Sequence, residues 1–273
     1  FKTVVAVAAL DTGKVKPEET FVCNGELGRY GLTDSNGKGH GKQTFAEAYA
    51  NSCNIAFAKV AERLGGETIE TYAKKLGLGR EILWSGRLSG KLYRHLPRED
   101  SGLIFAEGTS KKDGGAVVQT AIGQRDVRIT PVQAANMVTA LFHQGKLPSP
   151  RVVQQIQNDQ GKTVVSFKPK QLRVDRPIQP QALEQVRAMM RKTVTDGTAI
   201  RLKDSEWALA GKTGTAQLGE NGGYNKWMVG FGPYEKPRYS VSVVVRAISD
   251  DGDPRALRVF RRVMEGLKEL RKK

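Results

Sequence analysis

The chain has 273 residues, 39% hydrophobic and 26% charged, with 44 basic against 28 acidic side chains and a net charge of +16. That length and balance suit one large domain or two small ones with a substantial core, and exclude a disordered chain or a stapled mini-protein. The longest apolar run, Val4–Leu10, falls far short of the ~20 residues that a helical bilayer span needs.

In chain order, residues 3–10 read as a helix closed by Asp11-Thr12-Gly13, and residues 14–43, rich in Gly, Asn, Lys and Asp, as an irregular excursion. Thr44 caps a short helix, with Glu47 as its capping-box partner. A second helix runs from about Asn54 to Leu64, with Ile55, Phe57, Ala58, Ala61 and Leu64 on one face, and ends at Gly65-Gly66. Residues 67–76 read as a short helix stopped at Gly77, and residues 78–114 as loop. Helix returns over 116–143, with Thr130-Pro131 as a start signal and Gly145 as its end. Val152–Gln157 and Thr163–Phe167 flank a turn in a hairpin pattern, and residues 180–194 form an amphipathic helix through Leu183, Val186, Met189, Met190 and Val194.

Trp207–Ala216, Asn225–Gly232 and Tyr239–Ala247 read as antiparallel strands. A last helix follows Asp253-Pro254, with Leu257, Phe260, Val263, Met264, Leu267 and Leu270 on one face. Its basic residues are Arg255, Arg258, Arg261, Arg262, Lys268, Arg271, Lys272 and Lys273. Helices first, then strands and a closing helix, predict an α+β domain in which helices flank an antiparallel sheet. The helical part covers about 1–145; the hairpin, helix and sheet part covers about 150–273. No glycine-rich phosphate loop opens a helix after a strand. Charge favours an anionic partner, but aromatics are only 7% and no nucleic-acid module is visible.

Cys23 and Cys53 stand thirty residues apart without metal-ligand spacing, and His40, His95 and His143 are isolated in sequence, so no metal site is expected. A disulfide in an oxidising compartment and two buried free thiols both remain open. His40 reads as structural, Cys53 as a packing residue, Trp227 as a core residue, and Asp126 and Arg128 as makers of local loop contacts.

Three elements carry chemistry: Lys2 at the mouth of a helix, Ser52-Cys53-Asn54 between two helices, and Lys212-Thr213-Gly214-Thr215 on a strand. Singly, each reads as a cap or an ordinary strand lysine. Together, and in this order, the chain resembles the transpeptidase domain of penicillin-binding proteins, which uses S-x-x-K, S-x-N and K-[ST]-G. Phe1-Lys2-Thr3 looks like the end of the first motif in its class B form. Thr44–Leu64, Gly123-Gln124 through Thr130-Pro131, Gly197-Thr198-Ala199 and Trp227-x-x-Gly230-Phe231-x-Pro233 match further family stretches.

The resemblance implies a β-lactamase/transpeptidase-like fold whose first sheet strands precede Phe1, as does the nucleophilic serine, three positions before Lys2. It implies Lys2 as general base, Ser52 as proton relay, Asn54 as holder of the substrate amide, and Lys212 as electrostatic anchor. Thr213 and Thr215 then help Lys212 hold the substrate carboxylate, Gly214 lets the strand backbone come close to the ligand, and the Thr215 N–H forms half of the oxyanion hole. A lysine base must be part neutral, which burial and a second cation, Lys212, both favour.

The implied activity is D,D-transpeptidation of peptidoglycan stem peptides ending in D-Ala-D-Ala, through a serine acyl-enzyme open to β-lactams and without a cofactor. The implied setting is the outer face of the bacterial cell membrane, anchored by an upstream segment, beside a glycosyltransferase and other wall-synthesis proteins, with no nucleic-acid partner. The alternatives are a D,D-carboxypeptidase or β-lactamase, and a β-lactam sensor or inactive wall-synthesis scaffold.

Overall fold

The computed structural model describes residues 1–174, 177–219 and 222–270; Arg271, Lys272 and Lys273 of the basic cluster lie outside the described residues. Its centre is α1 (Lys2–Asp11), where Val4, Val5, Ala6, Val7, Ala8 and Ala9 are all 0% exposed. A helix apolar on every side belongs inside a core, and tertiary burial here overrides the weak helix preference of its valines. Around it pack α3 (Asn54–Leu64), α4 (Gly66–Lys75) and α7 (Pro180–Thr195).

The segment expected to be irregular contains two minute ladders. β1 (Thr20–Cys23) pairs antiparallel with β4 (Gly41–Thr44), and β2 (Glu26–Leu27) with β3 (Leu32–Thr33). β1 does alternate, burying Phe21 and Cys23, but the exposed residue between them is the apolar Val22, so no polar–apolar alternation shows in the sequence. The capping box of α2 (Phe45–Ala50) forms as expected: the Glu47 N–H donates to Thr44 Oγ1 at 3.2 Å, and the Thr44 N–H donates to the Glu47 carboxylate at 2.8 Å. The loop-rich stretch after α4 holds one exposed hairpin, β5 (Ser85–Leu88) with β6 (Lys91–Arg94).

The expected helix over 116–143 is two helices, α5 (Gly114–Ala121) and α6 (Pro131–Phe142), broken where Gly123 takes a φ of +85°. Thr130 and Gln133 close a second capping box at the start of α6. Beyond it, β7 (Leu147–Pro148) pairs with β10 (Gln171–Leu172), and β8 (Gln155–Gln157) with β9 (Thr163–Ser166). The hairpin is shorter than its apolar run, because Val152 and Val153 are exposed and lie outside the ladder.

The main sheet is β11 (Ala210–Gln217), β12 (Tyr224–Gly232) and β13 (Tyr239–Ile248), antiparallel in that order. Val229 and Phe231 face the core that contains α1; Met228, Val241, Val243 and Val245 face a second core under α8 (Arg255–Leu270). Gly230 and Gly232 make room on that second face. A Cβ at Gly230 would lie 3.0 Å from Phe260 Cζ, and one at Gly232 would lie 2.8 Å from Met264 Cε. The seat selects the Ala256, Phe260 and Met264 row of α8, so the apolar stripe is narrower than expected: Val263 and Leu270 are 40% and 71% exposed.

Candidate active site

Lys2 is the second residue of the chain and the first of α1, yet it is only 8% exposed. Its Nζ donates to the Ser52 carbonyl at 2.7 Å, to Asn54 Oδ1 at 2.7 Å and to Ser52 Oγ at 3.1 Å. Those three bonds use every proton an ammonium carries. Ser52 sits in the turn between α2 and α3 with φ +59°, a left-handed conformation that costs an L-residue about 1–2 kcal/mol. The strain coincides with the point where both polar groups of Ser52 meet Lys2. Asn54 is held at both ends: its backbone N–H donates to Asp34 Oδ2 at 2.7 Å, and its Nδ2 donates to the Thr33 carbonyl at 3.1 Å.

Lys212, 5% exposed on β11, donates to the Thr213 carbonyl at 3.1 Å and lies 5.7 Å from the centre of the Tyr49 ring. Tyr49 links the elements, because its hydroxyl pairs with Thr3 Oγ1 of α1 at 2.9 Å. Thr213 Oγ1 pairs with Thr198 Oγ1 at 2.6 Å, and the Thr198 N–H reaches the Ala50 carbonyl at 3.1 Å. Gly197 permits that approach: a Cβ there would fall 2.4 Å from the Ala50 oxygen. Gly214 pairs across the ladder with Trp227, and a Cβ on it would lie 3.3 Å from Trp227 Cβ. Thr215 is exposed, and Lys226 Nζ donates to its Oγ1 at 2.6 Å.

Burial lowers the Lys2 amine to about 8, while the Asp34 and Cys53 charges push it back up. Lys212 is carried well below its ordinary value, first by burial and then by the Lys2 charge. Dehydration is thus the first cause of the lowering for both amines. Two buried amines under one another's charge titrate as a coupled pair.

Lys2, Ser52 and Asn54 are therefore in direct contact, and Lys212 stands against Tyr49 beside them. Thr213, Gly214 and Thr215 extend along the strand. Trp227 is half-buried beside Gly214 rather than in the core, because its partner position carries no side chain to cover it. Asp126 accepts from the Ala106 N–H and the Thr109 hydroxyl, and Arg128 pairs its backbone with Leu103, so both tie their loop to the earlier 103–109 segment and not only to near neighbours.

Sequence reasoning missed Asp34, Tyr49, Thr198 and Lys226. Each reaches the site through a neighbour far away in the chain, and Asp34 lies in an Asp-Ser-Asn-Gly stretch indistinguishable from a solvent turn. It also missed that Cys23, Asp34, His40 and Cys53 bring their ligand atoms within 4.8 Å of one another behind the Ser52 turn. Neither thiol is in a disulfide.

A buried lysine on a core helix, bonded to a strained Ser-x-Asn turn and flanked by a Lys-Thr-Gly edge strand, defines a β-lactamase/transpeptidase-like protein. Residues 1–265 match the family model described as the penicillin binding protein transpeptidase domain, and the chain belongs to that family. It is 32% identical over 256 residues to stage V sporulation protein D of Bacillus subtilis, covering 90% of this chain and 37% of that protein. It is 29% identical over 219 residues to the peptidoglycan D,D-transpeptidase PbpA of Mycolicibacterium smegmatis, covering 76% of this chain and 39% of that protein. The fold is that of the D,D-transpeptidase domain of a peptidoglycan glycosyltransferase from Eggerthella lenta, with a TM-score of 0.82 at 23% identity over 99% of this chain and 64% of that one. The chain spans less than two-fifths of the length of both curated relatives, 37% and 39%.

Proposed function

We propose that this domain carries the acyl-transfer machinery of a class B peptidoglycan D,D-transpeptidase, acting outside the cytoplasm on stem peptides that end in D-Ala-D-Ala. The observation that carries the reading is the Lys2 amine, brought to about 8 by burial and aimed at Ser52 and Asn54. A lysine near that value is part neutral at working pH and acts as a base. In this reading the nucleophile is a serine three positions before Lys2, which one more turn of helix would set on the Lys2 face.

In this reading Lys2 Nζ takes the serine proton as Oγ attacks the penultimate D-Ala carbonyl carbon. The peptide C–N bond breaks, and terminal D-Ala leaves with a proton delivered through Ser52. The acceptor amine of a second stem peptide then attacks the ester, loses its proton to the same relay and frees the serine. Asn54, fixed by Asp34 and Thr33, holds the substrate amide; Lys212, Thr213 and Thr215 hold its terminal carboxylate. Gly214 leaves the strand edge open for the peptide backbone, and the Thr215 N–H supplies an oxyanion donor. β-Lactams enter by the same attack, and the name of the PbpA relative agrees with the reaction. Membrane attachment and a glycosyltransferase partner belong to the same proposal.

The test is covalent labelling of the full-length protein by a fluorescent penicillin, read by intact mass. A stable adduct of one drug per chain is expected, and its loss in Lys2→Ala. A folded protein that takes no adduct would remove the acyl-transfer reading, and fast release of hydrolysed drug would make the protein a β-lactamase.

A further inference from the structure

We propose that Cys23, Asp34, His40 and Cys53 form a tetrahedral zinc site that locks the turn carrying Ser52 and Asn54. The four ligand atoms come from four separate stretches: the end of β1, the residue after β3, the loop before β4, and the turn between α2 and α3. All lie within 4.8 Å of one another. Cys23 Sγ is 3.8 Å from Asp34 Oδ2 and 3.8 Å from His40 Nδ1, and His40 Nδ1 is 3.5 Å from Asp34 Oδ1. Zinc–sulfur bonds of ~2.3 Å and zinc–nitrogen or –oxygen bonds of ~2.0–2.2 Å set tetrahedral edges of about 3.4–3.8 Å. The two separations from Cys23 Sγ and the one from His40 Nδ1 to Asp34 are close to those edges, and as hydrogen-bonding contacts they are long and weak.

The donor set selects the metal. Two thiols, an imidazole and a carboxylate suit zinc and do not suit magnesium or calcium, which want oxygen. On binding, both thiol protons leave to solvent as two Zn–S bonds form. The site keeps one net negative charge, since two thiolates and a carboxylate then face a divalent ion where a lone carboxylate stood before.

The surroundings resemble a supporting shell. The Asp34 side chain is 0% exposed, and its oxygens accept the Asn36 N–H at 3.1 Å and the Asn54 N–H at 2.7 Å, which orients the carboxylate. The loop folds tightly over the cluster: a Cβ at Gly39 would fall 2.3 Å from the Cys23 oxygen, and one at Gly25 would fall 2.4 Å from the Gly37 oxygen. Between Cys23 and Gln43 only one apolar side chain, Leu32, is buried. A loop with so little core needs another source of order, and a metal supplies one. Cys53 and Asp34 flank Asn54 directly, so the ion and the Ser-x-Asn turn share one rigid unit.

The experiment uses the full-length protein, incubated with zinc, desalted and analysed for metal by mass spectrometry. About one zinc per chain is expected, with both thiols shielded from alkylation until a chelator is added and a melting temperature that falls on chelation. Cobalt loading is expected to give a thiolate-to-cobalt absorption band that drops to about half in Cys23→Ser or Cys53→Ser and vanishes in the double variant. His40→Ala is expected to retain the band and release the metal more readily. Two outcomes in the wild-type protein overturn the proposal without reliance on any variant. One is folded protein that retains only a small fraction of an equivalent and shows no cobalt band. The other is a Cys23–Cys53 disulfide in the purified protein. Neither depends on penicillin labelling, so the zinc site and the proposed activity stand or fall separately.

Discussion

Raising the pH from 6 to 9 should switch on the general base. Lys2 is lowered from an ordinary 10.5 to about 8. At pH 7 an amine at that value is about one-tenth neutral, whereas an unshifted one is neutral in about one molecule in three thousand. Burial thus increases the fraction of active base about 300-fold. The second-order rate of penicillin acylation should climb close to tenfold per unit below about pH 8 and then level off. Full-length protein, fluorescent penicillin and quenched time points between pH 6 and 10 measure it. A profile that is flat from 6 to 9, or that is still rising tenfold per unit at pH 10, would falsify the assignment of a dehydrated Lys2 as base.

The same shift has a stability sign. Between about pH 8 and 10.5 the unfolded chain holds a proton on this lysine that the folded chain has lost, so folding stability from this group rises with pH. Below about 8 the full penalty, up to about 3 kcal/mol, is present. Lys212, shifted in the same direction, adds to it. Denaturant melts at pH 7 and 9.5 should therefore show the higher-pH midpoint lifted by these groups, and the lift should shrink in Lys2→Met.

Substitutions at three further positions separate geometry from chemistry. Ser52 holds a φ of +59°, so Ser52→Gly should keep or raise stability by up to about 1 kcal/mol while labelling slows, whereas Ser52→Ala should slow labelling with no stability gain; equal labelling in both and in wild type would exclude Ser52 from proton transfer. Gly197→Ala puts a methyl group 2.4 Å from the Ala50 oxygen and should cost about 1–3 kcal/mol in urea unfolding; an unchanged midpoint would refute the close approach. Lys226 Nζ joins Thr215 Oγ1 to the Asp251 carbonyl, so Lys226→Met should lower the labelling rate several-fold at an unchanged melting temperature, and a wild-type rate would show that Thr215 needs no such support.

Much of the framework is legible along the chain because its causes are local. The Thr44–Glu47 and Thr130–Gln133 boxes satisfy helix-end N–H groups with residues three positions away; the sequence placed the first box and, at Thr130-Pro131, the start of the second helix. The helix from Asn54 to Leu64 and the three strands of the main sheet follow from apolar spacing and glycine stops. The hairpin at Ser85–Arg94 and the two ladders between Thr20 and Thr44 were not legible: the hairpin is exposed, β2 and β3 have two residues each, and in β1 the exposed Val22 between buried Phe21 and Cys23 hides the alternation.

The opening charge excess says little about the site, whose two central lysines are withdrawn from solvent. By itself the sequence determined which residue types stand in line: a lysine at a helix mouth, Ser-x-Asn between helices, Lys-Thr-Gly on a strand. Only the tertiary structure decided what each one touches. It seats Lys2 against Ser52 and Asn54 across fifty residues, dehydrates both lysines, and gathers Cys23, Asp34, His40 and Cys53 behind them. The physical reason is range: caps and stripes act within one or two turns of chain, while dehydration and ligand geometry depend on groups that meet only when the core closes.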